Sequence, residues 1–101
     1  MGKKLFIIIN KMIFHYIRNQ KIKVVKLALD KGYITKRSAV ILVNLIKYKK
    51  LKCELCNQYF GKHSKKTIDH IIPKCRGGSN NLDNLQLSHW SCNNRKGNRI
   101  K

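Results

Sequence analysis

Two pairs of potential metal ligands stand near the two ends of the second half of the sequence. Cys53 and Cys56 form one pair, His89 and Cys92 the other, and two residues separate the ligands within each pair. This spacing lets one tight turn aim both side chains at a single ion, and two such turns complete a closed tetrahedral site of the structural type. We therefore predict a structural zinc ion bound by these four residues.

An alternative interpretation treats the first pair as a redox-active Cys-x-x-Cys motif with His89 nearby by chance. Cys75 fits neither pair and is predicted to be a free thiol near a loop.

A second group of chemistry-bearing residues lies within and just after the segment between these pairs. Asp69 and His70 are adjacent inside a short β-type run, Asn84 opens a returning strand, and Asn93 directly follows the last cysteine. Hydrolysis of a phosphodiester needs an activated water, a cation at the developing charge and help for the leaving oxygen. Histidine suits the role of base because its neutral form predominates near pH 7.

Four stretches of this half follow one another in a recognisable order. They are Asp-His-Ile-Ile-Pro-Lys at 69–74, Gly-Gly-Ser-Asn at 77–80, Leu-Asp-Asn-Leu-Gln-Leu at 82–87 and Cys-Asn-Asn-Arg-Lys-Gly at 92–97. Together with the ligand pairs they resemble the HNH endonuclease family, whose nucleases share a ββα-metal core. The resemblance implies a divalent-metal-dependent hydrolase that cleaves DNA by nicking or by double-strand cleavage.

The resemblance also implies a role for individual residues. His70 is the expected general base, Asp69 a ligand of the catalytic ion, and Asn84 a residue that constrains the hairpin loop and helps to orient the base. Asn93 stands where the family usually has histidine, which makes this an H-N-N variant. Because an amide oxygen suits Mg²⁺ or Mn²⁺ better than softer metals, we predict one of these ions, held by Asp69 and Asn93.

The sequence leaves more than one interpretation open at three of these positions. His89 stands where the family usually has cysteine, although a Cys₃His set still binds zinc well. A purely structural role is the alternative for Asn84, since asparagine is common in turns, and for Asn93, since it could support the start of a helix.

The charge of the chain indicates a polyanionic partner. Lysine and arginine number 23 against 4 acidic residues, which gives a formal net charge of +19. This balance argues against a neutral metabolic enzyme, and it favours nucleic acid first and an anionic membrane surface second. We predict DNA as the partner, no membrane, and a monomer or weak homodimer. The predicted DNA contacts are Lys74, Arg76, Arg95 and Lys96.

The amino-acid composition changes near the basic run at 47–52. This change predicts a basic helical region at 1–51 and a nuclease domain at 52–101. Helices are expected within 5–29 and over 39–46, with a stop at 30–32 and Thr35 as an N-cap. Strands are expected at 67–73 and 82–87, followed by a short helix capped by Ser91. The predicted fold class is α+β, a small ββα-metal core with a zinc knuckle that follows a helical arm.

Two other functions compete with the nuclease. One is a non-catalytic, zinc-stapled module that binds nucleic acid, and the other is a basic membrane-surface helix at 5–17 fused to a zinc knuckle. The absence of a convincing secretory signal predicts an intracellular, reducing compartment. Lysine, isoleucine and asparagine make up 41 of the 101 residues. This is a bias of A/T-rich coding DNA, and it points to a chloroplast, mitochondrial or phage genome and to an intron or mobile element as origin.

Overall fold

The computed structural model of the protein describes residues 2–100 and has α+β architecture. Its two β-strands form one antiparallel sheet, and two short 3₁₀ turns lie in the connection between them. The prediction of a small ββα core that follows a helical arm is therefore confirmed. In chain order the elements are α1 (Lys3–Asp30), α2 (Lys36–Tyr48), β1 (Lys66–His70), the 3₁₀ turns Lys74–Arg76 and Leu82–Asn84, β2 (Leu85–His89) and α3 (Trp90–Lys96).

The break between α1 and α2 follows the local chemistry that the sequence predicts. Gly32 adopts a left-handed backbone with φ of 77°, a conformation that glycine reaches without steric cost, and this ends α1. The Thr35 hydroxyl then accepts a hydrogen bond from the Ser38 backbone N–H at 3.1 Å. The predicted N-cap of α2 is therefore confirmed.

One hydrophobic core joins the helical half to the strands. Val25 of α1 and Ala39 and Val40 of α2 pack with Leu82 and Leu87 from the second half of the chain. Helix α2 lies between α1 and β2 and contacts both. The helical arm is thus part of the body of the protein, and the division at residue 51 stays a prediction.

Asn44 anchors the chain where it leaves α2 and approaches the first cysteine pair. Its side chain is 2% exposed. The amide accepts a hydrogen bond from the Lys52 backbone N–H and donates one to the Lys52 carbonyl, both at 2.8 Å. Nearby, burial and a 2.6 Å hydrogen bond to Glu54 raise the pKa of Tyr48 to about 12. Buried side-chain bonds therefore fix this connection without regular secondary structure.

The strand boundaries differ from those predicted. Pairing begins at Lys66 opposite His89 and ends at His70 opposite Leu85, so neither predicted strand is correct at its loop end. Residues 82–84 form a 3₁₀ turn instead. The reason is that the Asn84 side chain hydrogen-bonds to the backbone N–H and carbonyl of Ile72, which would otherwise continue the pairing of the two strands.

The predicted N-cap of the last helix is also wrong. Helix α3 begins at Trp90, and His89 occupies the N-cap position without a side-chain cap bond. Ser91 lies inside the helix because β2 runs directly into α3, which leaves no loop residue to serve as a cap.

None of the helices within residues 2–100 is both long enough and apolar enough to cross a membrane.

We expect Asn44→Ala to lower the free energy of unfolding by about 1–3 kcal/mol, because two buried backbone groups of Lys52 lose their partner. Urea unfolding of the zinc-loaded protein, followed by circular dichroism, measures this change. Asn19→Ala, at an exposed position of α1, is the matched control and should change the stability by less than about 0.5 kcal/mol. Equal effects of the two substitutions would contradict the anchoring role of Asn44.

Candidate functional site

The four predicted zinc ligands come together in one cluster. The Sγ atoms of Cys53, Cys56 and Cys92 and a ring nitrogen of His89 lie within 4.8 Å of one another. The His89 Nδ1 atom is 3.4 Å from the Cys56 sulfur and 3.7 Å from the Cys92 sulfur. Zinc–ligand distances of about 2.0–2.3 Å place neighbouring ligand atoms of a tetrahedron roughly 3.5–3.8 Å apart. The cluster could therefore hold zinc.

Three separate parts of the chain supply these ligands. The first pair sits on a tight turn in which the Asn57 N–H donates to the Cys53 carbonyl at 2.9 Å and Asn57 has a positive φ of 63°. This turn is hydrogen-bonded to β2 through the Glu54 N–H and the Leu87 carbonyl at 3.0 Å. His89 ends β2 and Cys92 lies in the first turn of α3. The cluster thus ties the cysteine turn, β2 and α3 together.

Backbone donors prepare one cysteine for metal binding. Burial acts to raise the pKa of Cys53, but backbone N–H groups of Cys56, His89 and Leu55 donate to its sulfur and lower the pKa to about 7. Burial and the neighbouring sulfurs raise the pKa of Cys56. Since the thiolate is the metal-binding form, the donors around Cys53 favour the state that zinc requires.

A second group of side chains lines a cavity of about 230 Å³. Asp69 and His70 reach it from the end of β1, and Asn93 reaches it from α3. Adjacent residues of a regular strand face opposite sides, but His70 is the last residue of β1 and its pairing partner opens β2. The end of the strand therefore brings both neighbours to one cavity.

Asn84 lies in the hairpin loop and not at the cavity lining. Its amide accepts from the Ile72 N–H at 2.9 Å and donates to the carbonyls of Ile72 at 3.0 Å and of Ser79 at 2.8 Å. The loop is so close here that a Cβ on Gly78 would lie 1.7 Å from the Ile72 carbonyl oxygen. Asn84 and Gly78 together fold the connection back onto the end of β1.

The side chain of Asn80, which sequence reasoning missed, orients His70. The His70 Nε2 atom is 2.9 Å from the Asn80 Oδ1 atom. An amide oxygen only accepts hydrogen bonds, so Nε2 is the donor and the neutral ring carries its lone pair on Nδ1. The signal for this role in the sequence is the position of Asn80 at the end of the Gly-Gly-Ser-Asn stretch.

Asp69 is held by two further residues. Its carboxylate is buried, and the Oδ2 atom accepts hydrogen bonds from the Lys96 ammonium and the Gln86 amide, both at 2.7 Å. Gln86 stands directly opposite Asp69 in the strand register. Sequence reasoning missed Gln86, although the alternation of a two-stranded sheet would have suggested it once the register was known.

The prediction that Lys96 contacts DNA is wrong for this structure. Its side chain is 5% exposed, and the Nζ atom also donates to the carbonyls of His70 at 2.6 Å and Ile71 at 3.2 Å. All three ammonium protons therefore have acceptors within the protein. Lys96 lies on the face of α3 that packs over the end of β1. The charge of the residue, on which the prediction is based, does not show which face of the helix it occupies.

The other predicted contact residues are exposed. Lys74 lines the cavity of Asp69 and His70. Arg76 donates from Nε to the Asn98 carbonyl at 2.7 Å, and Arg95 donates to the Cys92 sulfur at 3.3 Å. As predicted, Cys75 is a free and exposed thiol in a connecting turn.

Comparison with known proteins identifies the matched family as HNH, described as HNH endonuclease, over residues 53–99. No curated protein and no solved structure gives a significant match. The matched region contains both the Cys₃His cluster and the cavity of Asp69, His70 and Asn93.

We expect one zinc ion per chain, lost together with folded structure in Cys53→Ser. The physical reason is that metal binding joins three elements of a small core, so binding free energy becomes folding free energy. Elemental analysis after gel filtration and circular dichroism measure the two effects. Cys75→Ser is the matched control and should keep both zinc and fold, whereas a wild-type protein that folds fully without zinc would contradict the prediction.

We expect Lys96→Met to destabilise the protein by about 3–5 kcal/mol, because it leaves the buried Asp69 carboxylate without its ion-pair partner. Thermal or urea unfolding of the zinc-loaded protein measures the change. Lys74→Met removes an exposed ammonium from the same cavity and should have little effect. A comparable loss in both variants would show that burial of the pair is not the cause.

Proposed function

We propose that the protein is a metal-dependent endonuclease that hydrolyses phosphodiester bonds in DNA, on the premise that residues 53–99 match the HNH endonuclease family. The family implies a nuclease-like or nucleic-acid-binding function, and the Cys₃His cluster provides a candidate structural metal site. The observation that carries the catalytic proposal is the common cavity of Asp69, His70 and Asn93.

In this proposal His70 is the general base. The Nδ1 atom takes a proton from the attacking water, since Nε2 is committed to Asn80. The Asn80 oxygen then stabilises the positive charge that the ring acquires and keeps the ring in one orientation. Asn84 acts indirectly, because its amide donates a hydrogen bond to the Ser79 carbonyl in the loop that carries Asn80.

Asp69 and Asn93 are the proposed ligands of a catalytic Mg²⁺ or Mn²⁺ ion. A carboxylate and an amide carbonyl are hard oxygen donors of the kind these ions prefer. When bound, such an ion stabilises charge on the phosphate and on the leaving 3′-oxygen. Lys96 and Gln86 both bond to Oδ2 of Asp69. Oδ1 would therefore be the oxygen that holds the ion, with Lys96 and Gln86 as positioning residues.

The charge of the chain supports DNA as the substrate. The net charge of +19 favours association with a polyanion, and Lys74 lies beside the base at the cavity. Arg76 and Arg95 are exposed and complete the proposed phosphate contacts. The same proposal assigns residues 52–101 to the nuclease domain and 1–51 to a basic helical region. It also places the protein inside a cell, with an organelle or phage genome and an intron or mobile element as its source.

One observation favours a second candidate, a zinc-stapled module that binds nucleic acid without cleaving it. The Asp69 carboxylate is paired with the Lys96 ammonium at 2.7 Å, which competes with a metal ion for the same charge. The two functions differ in cleavage and agree in DNA binding, so a single assay separates them.

We expect zinc-loaded protein to convert supercoiled plasmid to nicked or linear DNA when Mg²⁺ or Mn²⁺ is added, but not when EDTA replaces it. Removal of the general base in His70→Ala should slow this conversion by about 10²–10⁴-fold. His15→Ala, an exposed histidine of α1, is the matched control and should retain full activity.

The controls for this assay are zinc content and DNA affinity, which His70→Ala should leave unchanged. DNA binding by the wild type without cleavage in any divalent metal would reject the nuclease and favour the binding module. Cleavage that persists in His70→Ala would reject the assignment of the base.

A further inference from the structure

The first turns of α1, before Phe14, are exposed and lie beyond the end of α2. Phe14 lies near the end of α2, where the Lys49 ammonium is 5.7 Å from its ring centroid, so the residues before it extend past α2. Every residue from 2 to 17 is exposed, and ten of them are large and apolar. Monomeric proteins rarely leave so large an apolar surface in water. We therefore expect another molecule to cover the apolar surface of this segment.

The exposed apolar residues form a regular stripe. Phe6, Ile9, Ile13 and Tyr16 follow a spacing of three and four residues, which is the core pattern of a helix that pairs with another helix. They are 68%, 43%, 50% and 64% exposed. The stripe lies on one side of α1 over about three turns.

Between residues 5 and 17 the positions beside this stripe carry no charge. In the same repeat, the flanking positions are occupied by Leu5, Asn10, Met12 and Ile17. The cationic residues Lys4, Lys11 and Arg18 are seven residues apart and lie on the opposite side of the helix. A second helix can therefore approach the stripe without placing like charges in contact.

We propose that this stripe is a dimerisation surface and that its occupant is the same segment of a second copy, in antiparallel orientation. The spacing from Phe6 to Ile9 equals that from Ile13 to Tyr16. Phe6 therefore meets the partner's Tyr16, and Ile9 meets the partner's Ile13. Such a contact is self-complementary and closes as a two-fold dimer.

Charge decides between the antiparallel and the parallel arrangement. Each chain carries a net charge of +19, and α1 attaches to the body by its C-terminal half. Antiparallel pairing of the free segments puts the two bodies at opposite ends. Lys23 continues the stripe one repeat after Tyr16, and it then lies beyond the start of the partner helix. A parallel pair would oppose the two Lys23 side chains.

The available area is sufficient for a specific dimer. Seven apolar residues of the stripe and its flanks, each with on the order of 100 Å² exposed, offer roughly 700 Å² per chain. Specific interfaces bury about 800 Å² per partner. We therefore expect a dissociation constant of about micromolar, with tighter association in high salt because salt screens the repulsion between the bodies. The seven residues are Leu5, Phe6, Ile9, Met12, Ile13, Tyr16 and Ile17.

Sedimentation equilibrium of the zinc-loaded full chain tests the proposal with a matched pair of variants. Ile13 lies in the stripe and Ile7 lies outside it, and both are 50% exposed. Ile13→Glu should weaken dimerisation by about a hundredfold or more, since each dimer carries the substitution twice, and Ile7→Glu should leave it nearly unchanged. Equal effects of the two variants, or a wild-type monomer at all concentrations in high salt, would overturn the proposal.

Two further measurements test the orientation and the occupant. An equimolar mixture of Ile9→Glu and Ile13→Lys should dimerise more tightly than either variant alone, because antiparallel pairing places these two positions opposite each other. A mixture that remains monomeric overturns the antiparallel register. Vesicles of anionic phospholipid test the competing occupant, and a wild-type monomer that binds them through Ile13 but not Ile7 would replace the dimer by a lipid surface.

Discussion

Convergence of three thiols and one imidazole is the constraint on which the second half of this protein depends. The ligand pairs are separated by 32 residues. This interval contains β1, both 3₁₀ turns and all of β2 except its last residue, His89. Closing so long a loop costs conformational entropy that a two-stranded sheet cannot recover alone. A zinc ion held by the Cys₃His cluster would offset this cost where the cysteine turn, β2 and α3 meet.

The same closure determines where the second polar cluster lies. Because α3 starts directly after His89, its far end passes over the end of β1, and Lys96 reaches Asp69. A buried carboxylate is costly unless it is paired and hydrogen-bonded, and here an ammonium and an amide share one of its oxygens. The pair fixes the carboxylate beside His70 and Asn93, so the structural metal site and the proposed catalytic cavity depend on one helix.

The helical half has two parts with different physical roles. The C-terminal half of α1 and one face of α2 bury apolar residues in a core shared with Leu82 and Leu87, and so enlarge a core that the second half alone would have too little surface to form. The N-terminal half of α1 buries nothing within the described chain, and its apolar stripe is available to a second copy. A protein of this size can in this way combine a folding function and an assembly function in one helix.

The sequence by itself determined the features that depend on residue type and short spacing. The Cys₃His cluster, the Thr35 cap and the stop before Gly32 are of this kind, because each rests on contacts between residues close in the chain or on a repeated ligand spacing. The resemblance that pointed to Asp69 and His70 likewise depended on short ordered motifs.

Only the tertiary structure decided which side each polar residue of the core faces. Lys96 looked like a surface cation and is buried against Asp69, while Asn80 and Gln86 gained roles that their neighbours in sequence did not suggest. These contacts join residues 10 to 27 positions apart. They depend on strand register and on the direction in which α3 leaves β2, and neither is encoded in any local pattern.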